Sequence, residues 1–99
     1  MNLKINPSVL DDLDNIYNYI KLDNPQKAVE VRDNILKDIY KIPKNPFIGK
    51  YLRNIVDTDI DFRYIITYSY ASIYRVEEDC VIVTRVVHTR RNFNIINFN

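Results

Sequence analysis

Three arginines and the only histidine of the chain fall within "RVVHTRRN", Arg85 to Asn92, one residue after the apolar run "CVIV". An imidazole with an unperturbed pKa near 6.5 exchanges protons at neutral pH. A guanidinium stays charged and can grip a phosphate or carboxylate with two parallel hydrogen bonds. His88, Arg90 and Arg91 lie just past the end of a strand that Arg85 interrupts. Arg63 interrupts a second apolar run, "FRYIITY". Burying an unpaired guanidinium is costly, so Arg63 and Arg85 must each pair with a carboxylate or face an open surface. Lys50 and Arg53 come from the edge of the same expected sheet. Together these cations suit a phosphodiester or an acidic partner. Metal-independent RNA cleavage asks for a base on the 2′-hydroxyl, cations around the phosphorane and an acid for the leaving oxygen. Tyr64, Tyr68, Tyr70 and Tyr74 either stack bases or pack in the core.

Other chemistries are poorly served. Cys80 and His88 have the same strand parity and so are expected on one face. Eight residues of strand nonetheless separate them by roughly 26 Å, too far for a thiol–imidazole pair. Cys80 reads as a small buried hydrophobe. Asp57, Asp59 and Asp61, like Glu77, Glu78 and Asp79, read as solvated turns. One glycine cannot make a phosphate-binding loop, and one Cys with one His cannot make a zinc site. No cofactor is expected. The single Cys excludes an intramolecular disulfide and suits a reducing cytoplasm. A net charge of +1 offers no global attraction to nucleic acid, so any anion site must be local. No apolar run approaches the ~20 residues of a membrane span, and "MNLKINPSVL" lacks the apolar region of a signal peptide. The 99 residues, 46% of them hydrophobic, suit one cytoplasmic domain over 1–99 with no membrane partner.

The elements that must position these residues follow from periodicity. "NLKIN" alternates and predicts a short first strand. Asn6 before Pro7, and Asn24 before Pro25, are helix starts: a capping side chain followed by a residue whose missing N–H costs nothing there. Leu10, Leu13, Ile16, Tyr17 and Ile20 give the first helix, at about 7–22, one apolar face. Asp11 and Asp12 are expected near the positive end of its dipole. Ala28, Val31, Ile35, Ile39 and Ile42 stripe the second helix, and Pro43 stops it. The short link predicts an antiparallel hairpin. "PKNPFIG" is a turn-rich exit ending at Gly49. "KYLRNIV" (50–56), "FRYIITYSY" (62–70), "SIYRV" (72–76) and "CVIVTRVVH" (80–88) are strand-like, with "EED" as a hairpin turn. The expected fold is α+β: a short N-terminal strand and a helix hairpin on one face of a three- to four-stranded antiparallel sheet, with the other face open for binding.

The pieces "LDDLDNIYNYI", "NPQKAVEVRDNI", "IPKNPFIG" and "FRYIITYSYASIYRVEEDCVIVTRVVHTRRN", in this order over residues 3–92, resemble the RelE/ParE superfamily of toxins from type II toxin–antitoxin modules. The resemblance implies a toxin held inactive by a cognate antitoxin. It leaves two activities open. ParE-like members poison DNA gyrase; RelE-like members are enzymes that cleave mRNA on the ribosome. Arg63 matches the mid-sheet arginine of the nucleases, and His88 falls where some relatives carry a proton-transfer histidine. "RVVHTRR" looks more like the ParE-like ending, with Asn92 where that ending often has an acid. No tyrosine follows Tyr74, although many RelE-like enzymes use one near the C-terminus. On the nuclease branch Arg63 and His88 would be catalytic. On either branch Lys50, Arg53, Arg85, Arg90 and Arg91 would bind phosphate or the partner.

Overall fold

A computed structural model describes residues 1–52 and 61–91. The chain runs β1 (Asn2–Ile5), α1 (Pro7–Lys21), α2 (Pro25–Lys41), a single 3-10 turn (Ile42–Lys44), β2 (Lys50–Tyr51), β3 (Asp61–Thr67), β4 (Tyr70–Glu77) and β5 (Cys80–His88). The five strands form one sheet in the order β1-β5-β4-β3-β2. The sheet is larger than expected and mixed: β1 joins it parallel to β5, with Asn2 opposite Cys80 and Ile5 opposite Val83. The other pairs are antiparallel. The α+β architecture with a helix hairpin on the sheet is otherwise as the sequence predicts.

Both helices begin at a proline, as their sequences require. Asn24 caps α2 by accepting from the Lys27 amide at 3.0 Å. Asn6 is the residue before α1 but makes no side-chain cap; its own amide donates to Val83 O instead. The expected stripe of α2 is buried throughout, from Ala28 to Ile42. That of α1 holds at Leu13, Ile16 and Ile20 and differs at its first turn, where Val9 is buried and Leu10 is 56% exposed. These positions meet Tyr70, Tyr74, Val81, Val83 and Val86 across one face of the sheet.

Two departures move side chains. The β3–β4 turn falls at Tyr68 and Ser69, earlier than the long first run suggests, and Tyr68 takes φ 55° to make it. Its hydroxyl docks on α2 through Asn34 and Glu30, both at 2.9 Å. The second is a β-bulge in β5. Ile73 pairs with Arg85 but Tyr74 with Val83, so Thr84 is extra. A bulge reverses the alternation of faces. Val81 and Val83 before it and Val86 after it therefore all face the helices. The same reversal puts Cys80 and His88 on opposite faces, correcting the parity reading. Cys80 is half-buried.

The face away from the helices is not open as expected. Leu52, Ala71, Ile73 and Val87 are buried there in a second small cluster, with Phe62 and Tyr64 packed on it.

Candidate functional site

The sequence-predicted cations divide between two regions. Arg63 lies near the β2 edge, opposite Tyr74 on β4 and Tyr51 on β2. His88 lies at the end of β5, opposite Tyr70. Four residues along β4 and two strand spacings separate their backbones, about 16 Å. They do not converge on one phosphate.

Arg63 is 8% exposed. Its Nε donates to Asp61 Oδ1 at 2.9 Å and its Nη2 to Oδ2 at 3.3 Å. Nη1 donates to the carbonyls of Gly49 at 2.9 Å and Phe47 at 3.1 Å. The guanidinium also lies against the rings of Tyr51, at 4.1 Å, and Phe47, at 5.1 Å. Of the two options the sequence left for this residue, it takes the carboxylate pair, from an aspartate two positions away on the same strand face. Beside it, Tyr74 accepts from the Gly49 amide at 2.9 Å and donates to Pro46 O at 2.8 Å. Burial pushes the Tyr74 phenol above its ordinary pKa. Arg63 and Tyr74 thus fasten the exit loop to the sheet. Gly49 is required there by close approach: a Cβ would sit 2.5 Å from Tyr74 Oη and 2.9 Å from Tyr64 O. Lys50 is exposed on β2, and Arg53 lies outside the described residues.

The second region is a cleft of about 180 Å³ between α1 and the end of β5. Its position follows from the way α1 takes over from β1 as the cover of the β5 edge. Where β1 stops, the Asn6 amide donates to Val83 O, Ser8 Oγ donates to Thr84 O at 2.8 Å, and Asp12 Oδ2 accepts from the Val86 amide at 2.9 Å. Asp12 is five residues into α1, beyond its first turn, so it is not the dipole partner expected from sequence. It binds Arg85 bidentately, Nε to Oδ2 at 2.7 Å and Nη2 to Oδ1 at 2.9 Å. The Asp12 side chain is 11% exposed and that of Arg85 55%. Hydrogen bonding and charge from Asp12 hold the Arg85 proton more tightly than usual.

His88 and Arg91 complete the lining, with Tyr19 and Tyr70 as walls. The His88 ring meets Tyr70 edge-on, centroids 5.2 Å apart. Its Nδ1 accepts from the Arg90 amide at 3.1 Å. Burial first, then the charges of Arg91 and Arg90, lower its pKa. These influences favour the neutral imidazole, with Nδ1 as acceptor. Arg91 stacks on Tyr19 at 5.1 Å and makes no ion pair among the described residues. The structure thus brings Arg85, His88 and Arg91 together. Sequence reasoning missed Asp12, Tyr19 and Asn15; only the facing of α1 toward the β5 edge could have found them. Among the described residues no cluster of His, Cys, Asp and Glu could hold a metal ion, and no helix is long and apolar enough to cross a membrane.

A helix hairpin laid across a five-stranded sheet, with this site at its edge, can be set beside solved structures. The structure is similar to one described as the chromosomal ParDE TA system from P. aeruginosa, with a TM-score of 0.72 over 89% of this chain and 95% of that one, at 19% identity. The model of the ParE toxin of type II toxin–antitoxin systems (parDE) matches residues 3–93, and the chain belongs to that family. A search of curated protein sequences gives no match.

Proposed function

We propose that this protein is a growth-arresting toxin that acts in the ParE manner, by inhibiting DNA gyrase, and that a cognate antitoxin neutralises it. The family match over residues 3–93 and the likeness to a ParDE structure support the toxin reading. The observation that carries the choice of target is the division of the cations. Arg63 is locked by Asp61 and by two loop carbonyls. Arg85, His88 and Arg91 gather in a separate cleft. A nuclease using Arg63 and His88 together would need both on one phosphate. The ending "RVVHTRR" favours the same branch. The test is a supercoiling assay with purified gyrase. Loss of supercoiling by the toxin, with cellular messages left intact, is the expected result. Unaffected gyrase would overturn it.

One observation favours the alternative of RelE-like, ribosome-dependent mRNA cleavage: His88 stands among arginines with Nδ1 accepting from the Arg90 amide, which leaves Nε2 as the donor, the role of a general acid. Mapping new 5′ ends after induction without antitoxin separates the two. Cuts within codons that depend on His88 would select the nuclease. Normal growth with intact messages and active gyrase would identify an inactive, antitoxin-binding relative.

A further inference from the structure

We infer that the cleft between α1 and the end of β5 binds a single carboxylate, presented by an acidic side chain with apolar neighbours on a polypeptide partner. Charge sets the count. Two guanidiniums, Arg85 and Arg91, line the cleft against one carboxylate, Asp12, and the surroundings of His88 disfavour a third positive charge. One positive charge is left over, enough for one monoanion. A run of phosphates would meet Asp12 as a repulsive neighbour and would need more cations than the lining holds.

Geometry sets the chemistry. Asp12 engages Nε and Nη2 of Arg85, which leaves Nη1 without a hydrogen bond among the described residues. The same pair fixes the guanidinium plane, so little side-chain entropy remains to be lost on binding. Arg91 is held by stacking on Tyr19, and its guanidinium makes no hydrogen bond among the described residues. Beside these donors and Asn15 stand Ile16, Tyr19, Tyr70 and Val87, so about half of the wall is apolar or aromatic. A carboxylate on a peptide with flanking aliphatic residues satisfies both parts; a bare inorganic anion satisfies only the first. Asp12 is then a positioning residue, acting through Arg85. The inference deepens the toxin reading by naming the chemistry of the partner, but the cleft would hold its carboxylate whether or not gyrase is the target.

The test is an amide-shift titration of the full chain with a capped tripeptide bearing glutamate between two leucines. The controls are the glutamine tripeptide and inorganic phosphate. Saturable shifts at Tyr19, Tyr70, His88 and Arg91, with a dissociation constant on the order of 1 mM, are expected for the glutamate peptide. Arg91→Gln should weaken binding about tenfold while the rest of the spectrum is kept. Equal binding of the glutamine peptide, tighter binding of phosphate, or no shift at all would each overturn the inference. A gyrase assay on the same sample separates the two readings. Binding by a protein without effect on gyrase keeps the cleft and removes the target.

Discussion

Arg63 and Arg85 sit in similar apolar strand sequences, and each grips an aspartate with two nitrogens. Their surroundings make them different residues. Arg63 is closed in by Asp61, two carbonyls and two aromatic rings, and is 8% exposed. Arg85 keeps more than half of its side chain in solvent, while the buried member of its pair is the carboxylate. In the first pair the cation is enclosed and holds a loop in place. In the second the anion is enclosed and the cation is presented outward. The contrast shows that an arginine in an apolar strand carries no functional meaning by itself; what counts is which partner of the pair faces water.

The largest effect should come from Arg63→Ala, which leaves two loop carbonyls and Asp61 uncompensated. We expect a loss of about 3 kcal/mol, read from urea unfolding. A loss as small as that at an exposed site would erase the distinction. Gly49→Ala attacks the same loop without touching charge. With a Cβ 2.5 Å from Tyr74 Oη, the loop or the ring must shift, at a cost of about 1–3 kcal/mol. On the other side, Asp12→Ala should cost about 1–2 kcal/mol because the Val86 amide loses its acceptor. Arg85→Ala should cost only about 0.5–1 kcal/mol, since an exposed cation is lost and Asp12 keeps that amide. Equal losses from the two would mean that the ion pair, not the edge amide, sets the value of Asp12.

The smallest signal is in pH. Burial, then Arg91 and Arg90, hold His88 below its ordinary value of 6.5 in the folded chain. As pH falls, the unfolded chain takes up this proton first. The contribution of His88 is therefore complete above about 6.5 and is lost as pH drops through the folded value. Arg91→Gln removes one neighbouring charge and should move the His88 titration, followed by its ring proton shifts, back toward 6.5. An unmoved titration would show that Arg91 does not act on His88.

The helices were legible because each carries its own start signal and stripe: Pro7 and Pro25 are their first residues, and the α2 stripe is buried as read. The cationic ending was legible because residue types report charge directly. The failures share one cause, pairing between distant segments. Neither the parallel match of Asn2–Ile5 to β5 nor the bulge at Thr84 has a local signature, and the bulge alone reverses the facing of His88. Asp12 was assigned to a helix dipole because its actual partners lie more than 70 positions away. The second apolar cluster was missed because alternation does not tell a covered face from an open one.

The place of β5 also bears on the order in which the molecule is made. This strand, although late in the chain, lies inside the sheet between β1 and β4. During synthesis the helix hairpin can form early, but β1 has nothing to pair with until residues 80–83 leave the ribosome. The cleft, which needs Arg85, His88 and Arg91 against α1, is assembled later still. The cleft, and whatever depends on it, is thus absent from the growing chain until β5 has been made and has joined the sheet.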